Sequence, residues 1–421
     1  MRQGKSSFNV FIFILFGLVC QFQVKCQNLI DVNSILLSTF NDLNVKFQNE
    51  KSIKLKTLEF NLPLIEKFEF RTETKDFDLR KQEYLFRVSP NSSKSRKTHK
   101  SYHESIMYMT DMQYEAEVMK SFEMRYKLII DYIFTIQELD IRSRQKLVIN
   151  DKVKLLNRSI SLSSFDIVEL IEAQDEALGV QRDILGLEKD KLTFLQLIQK
   201  IVGDTDIAPL ISIKLATVKD IKVILDLLIS EKRSKHPELE ALSAKHYNNM
   251  MEYERESAQS KFSIGYFQAQ YGYDPNDSFS KNFSIGLGFD IPIKGSSSID
   301  LNEISIDILE SQSSYLKRKE ELANSSNATI NELQSLFLTY DFLTNQLDKG
   351  NAEYAINEYV KLGMASPRAL LKLKEITLKN EFLALELEEK VTRSFINYIY
   401  STGIIGQKPY RNYLHPNLIS L

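Results

Sequence analysis

No proline occurs between Pro90 and Pro209, and none between Pro292 and Pro367. The whole 421-residue chain holds only 14 glycines, well below the usual share of about 7%. Proline and glycine are the residues that stop a helix, so two stretches of this length without proline predict very long helices. The spacing gives a helix from about Ser101 to Leu156, roughly 80 Å long at ~1.5 Å per residue, and a second from about Ile299 to Leu362. Helices of that length outrun any single compact core and belong to a coiled coil or a helical cylinder.

Each long helix ends in a sharp reversal. In Tyr359-Val360-Lys361-Leu362-Gly363-Met364-Ala365-Ser366-Pro367-Arg368-Ala369-Leu370-Leu371, Gly363 is suited to the left-handed C′ position. Ser366 then offers an N-cap oxygen and Pro367 a first helical residue that needs no N–H. The earlier stretch Leu162-Ser163-Ser164-Phe165-Asp166-Ile167-Val168 repeats the logic, with Ser163 and Asp166 spaced as a capping box.

Ser164 and Ser366 are 202 residues apart, Pro90 maps onto Pro292 at the same offset, and Ile201-Val202-Gly203 maps onto Gly403-Ile404-Ile405. The chain therefore reads as a duplication. Its parts are a leader at 1–26, a first repeat at 27–203 and a connecting segment at 204–235. A second repeat at 236–405 and a tail at 406–421, whose place the sequence leaves open, follow.

The leader combines Arg2 and Lys5 with an apolar run from Phe8 to Val19 and then Val24-Lys25-Cys26, the pattern of a secretory signal peptide. The run is shorter than the ~20 residues of a transmembrane helix. Val19 and Lys25 precede the two cysteines, which argues against lipidation. Cleavage after Cys26 would leave no cysteine, so an exported product would rely on packing or oligomerisation rather than disulfides. Loss of Arg2, Lys5 and Lys25 would move the formal charge from −2 to −5, a mild acidity that argues against a nucleic-acid partner.

Between helices the period changes from 3.6 to 2. A first hairpin is predicted at about 67–89, where Phe68, Phe70, Thr72 and Thr74, then Gln82, Tyr84, Phe86 and Val88, share one parity. Asn91 to Lys100 reads as a cationic loop or interfacial segment. The second hairpin is predicted at about 262–292; in its return strand Phe283, Ile285, Leu287 and Phe289 alternate with Ser284, Gly286, Gly288 and Asp290. Strands of nine to eleven residues with large apolar side chains on one face suit a barrel wall in lipid, and four strands cannot close a sheet alone. Residues 29–60 read as helix up to Leu62-Pro63. After the first reversal Ile171, Leu178, Leu185 and Leu192 recur every seven residues as a heptad seam, too polar in its other members for a dry zipper and read as one of two apolar faces.

This order of elements, duplicated, resembles the TolC family of bacterial outer-membrane channel proteins over nearly the whole mature chain. The resemblance rests on His236-Pro237-Glu238-Leu239, on Ile285-Gly286-Leu287-Gly288-Phe289-Asp290-Ile291-Pro292-Ile293, on the Leu362 to Leu371 reversal and, less specifically, on Glu172-Ala173-Gln174. It implies a mainly α fold with a β-barrel portion. A homotrimer would join three four-stranded sheets into one barrel in outer-membrane lipid and its helices into a periplasmic tunnel. It also implies partners: a periplasmic adaptor and an inner-membrane transporter, docked at helical tips near 158–166 and 362–368. By position the tip residues are Arg158, Ser163, Ser164 and Asp166 in the first repeat and Gly363, Ser366 and Arg368 in the second. The chain departs from the family pattern at Ser161, where glycine is common, and at Ala369 and Lys372, where acidic residues are often found. Asp166 and Glu169 are the nearby acidic residues.

Five histidines, no mature cysteine and no phosphate loop offer an enzyme little, and no cofactor is expected. His99 and His103, four apart, are weak candidates for metal ligands, opposed by Lys97 and Lys100. Met107, Met109, Met112, Met119 and Met124 suit a soft cation or, more simply, core packing. Two functions stay in view. One is the passive outer-membrane exit duct of a tripartite efflux or type I secretion system; the other is an exported structural coiled-coil protein whose hairpins are soluble caps.

Overall fold

A computed structural model describes residues 31–58, 60–74, 81–161, 165–203, 215–230, 235–261, 263–272, 282–290, 296–350, 352–362 and 366–421. The leader, parts of the connecting segment, the hairpin turns, and Ser163, Ser164 and Gly363 lie outside these residues.

The first repeat opens with α1 (Val32–Leu37), a 3₁₀ turn (Ser38–Asn41) and α2 (Leu43–Thr57). The expected single helix over 29–60 is thus broken, because Asp42 leaves helical geometry to cap α2, its side chain accepting from the Asn44 N–H at 3.0 Å. Strands β1 (Ile65–Thr74) and β2 (Gln82–Pro90) follow, then α3 (Ser93–Arg158) and α4 (Ile167–Val202). Helix α3 has 66 residues, about 100 Å at 1.5 Å each. It starts eight residues before the expected Ser101, since Ser92 Oγ accepts from the Ser95 N–H at 3.0 Å. The cationic segment is therefore the opening of the helix rather than a loop. Polarity alone hid it.

After α5 (Val218–Ser230), the second repeat supplies α6 (Pro237–Gln259), β3 (Ser263–Gly272), β4 (Phe283–Asp290), α7 (Ser296–Gly350), α8 (Ala352–Lys361) and α9 (Pro367–Ser401). The helix expected from 299 to 362 is described over Ser296–Gly350 and Ala352–Lys361, and residue 351 between them lies outside the described residues. A 3₁₀ turn (Ile404–Gly406) leads into the tail.

The duplication is confirmed with its register moved by two. Asp166 caps α4 through the Val168 N–H, and Ser366 caps α9 through the Ala369 N–H, an offset of 200. Gly203 at φ +81° and Gly403 at φ +76° end the two return helices at the same offset, and strands β2 and β4 end at Pro90 and Asp290. Asp166 is itself the N-cap of α4, the place that the capping box gave to Ser163. The offset of 202 rested on Ser164 and Pro292, which lie outside the described residues, whereas dihedral angles and caps within them give 200.

The main core sits at mid-length. Phe122, Tyr126, Ile129 and Ile130 of α3 are buried with Val391, Phe395 and Ile399 of α9 and with Ile35 and Leu36 of α1. The amphipathic α5 adds Ile221, Ile224, Leu225 and Leu228. The tail, unplaced by the sequence, closes this core with buried Tyr413 and Leu414. Tyr126 donates its hydroxyl to the Arg411 carbonyl at 2.8 Å and accepts from the Tyr413 N–H at 3.1 Å. The Ala216 N–H donates to the Leu414 carbonyl at 2.8 Å.

His236-Pro237-Glu238-Leu239 latches the second repeat onto the end of α9. His236 Nδ1 accepts from the Glu238 N–H at 3.2 Å, so Nε2 carries the proton and donates to the Tyr400 carbonyl at 3.0 Å. Burial lowers the His236 pKa, keeping this ring neutral. Burial opposes ionisation of Glu238, but hydrogen bonds from the Tyr400 hydroxyl at 2.6 Å and from Arg318 at 2.9 Å outweigh it and hold the carboxyl below its ordinary value.

Candidate channel wall and helical tips

The four strands form one antiparallel sheet in the order β1-β2-β3-β4. Its register sorts the side chains by period. Phe68 lies opposite Val88, Phe70 opposite Phe86, Phe86 opposite Ala269, Phe267 opposite Leu287, and Ala269 opposite Ile285, so one face is apolar from edge to edge. The rings on it pack against each other, Phe68 on Phe86 edge-on at 4.3 Å. Among the described residues no strand residue belongs to a buried core cluster, and Ile285 is 78% exposed. An exposed apolar face of this size marks a surface that meets another protein or a membrane.

The opposite face is polar and bonded within itself. Arg87 donates to Gln268 at 2.7 Å, stands 3.7 Å from Glu69 and covers the Tyr266 ring at 4.1 Å. Lys67, Arg71 and Arg87 face Glu69, Glu73, Glu83 and Asp290 there, a nearly balanced set. Strands β1 and β4 each keep one edge unpaired within the protomer.

At the far end, the two helical hairpins lie side by side. Arg368, in the first turn of α9, reaches Glu169 in the first turn of α4 at 2.5 Å, joining residues 199 apart in sequence. Lys152 of α3 stands 3.3 Å from Glu375 and 3.7 Å from Glu176, and Lys372 stands 3.3 Å from Glu375. These charges edge a cavity of about 340 Å³ lined by Lys152, Leu155, Glu169, Arg368, Leu371 and Lys372. Sequence reasoning found Arg368 and missed Lys152, whose partners come from two other helices. The only local signal was the Lys372 to Glu375 spacing.

Of the other expected tip residues, Asp166 and Ser366 are caps, and Arg158 ends α3 exposed and without an ion pair among the described residues. His99 and His103 go to separate partners: Gln259 Nε2 meets His99 Nε2 at 2.8 Å, and His103 stacks on Phe60 at 3.7 Å. Among the described residues no group of three metal-ligating side chains forms. Of the methionines, Met119 is fully buried and Met124 exposed.

The heptad row is, as expected, one of two apolar faces of α4, and it is the one left open. Ile171, Leu178, Leu185 and Leu192 are exposed, Leu178 by 71%, while Leu170, Ala173, Val180 and Ile184 of the same helix pack on Leu156 and Ile149 of α3. The seven-residue row is a second apolar stripe, unused within the protomer.

A long helical hairpin, a barrel-type sheet with two faces, and their repetition are now in place, and solved structures with the same arrangement exist. VceC from Vibrio cholerae, an outer-membrane protein, superposes with a TM-score of 0.61 at 12% identity, over 88% of this chain and 96% of that one. The MtrE outer-membrane channel of Neisseria gonorrhoeae gives 0.60 at 10% identity, over 92% and 90%. The CmeC outer-membrane channel of Campylobacter jejuni gives 0.56 at 11%, over 88% and 85%. It has the TolC-like channel fold. No family model matches the sequence, and no curated protein matches it. The likeness therefore lives in the backbone path, which the caps, the strand alternation and the proline-free runs dictate without a shared sequence.

Proposed function

We propose that three copies of this chain form an outer-membrane channel that extends into the periplasm and serves as the passive exit duct of an efflux or secretion pump. The observation that carries this reading is the sheet. Its apolar face has no core behind it, and its two outer strands have unpaired edges. Lipid accepts the face, and only ring closure with other copies satisfies the edges. The unused stripe of Ile171, Leu178, Leu185 and Leu192 supports the same assembly, because neighbouring protomers would cover it. No helix among the described residues is long and apolar enough to cross a membrane, which leaves the barrel as the spanning part.

The helical tips are the docking surface for a periplasmic adaptor coupled to an inner-membrane transporter, with Arg158, Ser163, Ser164 and Asp166 of the first repeat and Gly363, Ser366 and Arg368 of the second as its candidate residues. Transport through such a duct needs neither a catalytic residue nor a cofactor. The test is membrane fractionation and heat-dependent migration in detergent, done on the native chain and on Ser366→Trp. The native chain is expected in the outer membrane as a heat-sensitive trimer. The variant is expected to keep the trimer while losing export in cells. Recovery in the soluble fraction without detergent would favour the exported coiled-coil alternative instead, and loss of the trimer in Ser366→Trp would make the tip merely structural.

A further inference from the structure

Helices α2, α3, α6 and α7 pack consecutively, each against the next, and all four line one cavity of about 820 Å³. Four neighbours in a row that share a cavity form an arc with that cavity on its concave side. The main core at mid-length fixes which side this is. Phe122 and Tyr126 of α3 point into that core, and at 100° per residue they lie opposite Gln113, Glu117 and Lys120, which line the cavity. The cavity therefore faces away from the core. In a ring of three arcs it faces the bore.

Its lining is cationic. Lys51, Lys120, Lys245, Lys317 and Arg318 stand against Glu117, Glu238 and Glu321. The acids are already engaged: Glu117 by Lys120 at 3.1 Å, Glu238 by Arg318 at 2.8 Å, and Glu321 by Arg318 at 3.1 Å. Lys51, Lys245 and Lys317 have no ion-pair partner among the described residues. They come from three different helices, so no single amphipathic pattern explains them.

We propose that these three lysines form an anion-preferring belt in the bore, and that the channel passes anionic solutes in preference to cations. The inference rests on the trimeric channel reading above. Charged side chains lining a pore set the sign of the permeant ion, and a concave wall of low dielectric focuses their field. Three protomers would place nine unpaired ammonium groups at one level. The near balance of charge on the polar face of the sheet leaves this level to decide the sign.

The test is the reversal potential of the purified trimer in a planar lipid bilayer under a potassium chloride gradient. The native channel is expected to favour chloride. The triple variant Lys51→Gln, Lys245→Gln, Lys317→Gln is expected to lower the chloride-to-potassium permeability ratio by about threefold or more. The matching triple Arg variant, which keeps the charge, is expected to retain it. A native channel that favours potassium, or a Gln variant with an unchanged ratio, overturns the belt while leaving the channel intact. A soluble protein, or a membrane trimer without conductance, overturns the channel reading itself and the belt with it.

Discussion

Gly203 and Gly403 occupy equivalent places and carry different loads. Both take left-handed φ values, +81° and +76°, where a Cβ costs roughly 1–2 kcal/mol. A Cβ on Gly203 would meet nothing within 4 Å, whereas one on Gly403 would stand 3.0 Å from the His236 Cα and 2.9 Å from its ring. Overpacking of that kind adds about 1–3 kcal/mol. Thermal unfolding of Gly403→Ala is therefore expected at a clearly lower temperature than that of Gly203→Ala, and equal losses would show that the latch between His236 and the end of α9 contributes little. At this scale the sequence read the Ser366 cap and missed the charge partners across helices. The reversal at Ser366-Pro367 was legible because capping is local. Lys152 was not, because its partners Glu176 and Glu375 lie on other helices.

At the scale of elements, each strand divides into two environments at a period of two. Ile285 and Ser284 are neighbours on β4, with Ile285 on the apolar face and Ser284 on the polar one. In lipid, an arginine on the outer face near mid-depth costs about 2–4 kcal/mol, while one facing the lumen is accommodated. Ile285→Arg is expected to cut the yield of folded outer-membrane trimer sharply, and Ser284→Arg to spare it; immunoblots of membrane fractions read the difference. Similar losses at both positions would make the sheet a soluble cap. The return helix shows the limit of pattern reading. A heptad of leucines in α4 was plain in the sequence, but the protomer packs the row beside it. A helix with two apolar stripes does not say which is covered first.

For the whole molecule, the decisive fact is that the sheet is open. Among the described residues strand β1 at one edge and β4 at the other each present an unpaired edge, which in the proposed ring would be met by another copy. Cysteines at Phe70 on β1 and Ile285 on β4, joined by a short bifunctional thiol reagent in intact membranes, are expected to give cross-linked dimers and trimers and nothing larger. A ladder that continues past three would mean an open, non-closing assembly. A protein that stays monomeric would remove the basis of the channel.

The sequence by itself determined what depends on neighbours along the chain: the long proline-free helices, their capped reversals, the alternating strands and the doubling of the whole unit. These follow from backbone sterics, capping and side-chain period, which act over a few residues. Tertiary structure decided what depends on residues far apart. It fixed the offset of 200, the break of the first helix at Asp42, the tail folded beneath Tyr126, the Arg368–Glu169 bridge between the tips and the lysines gathered on one concave wall. The physical reason is that burial and charge pairing are settled by which surfaces meet in space.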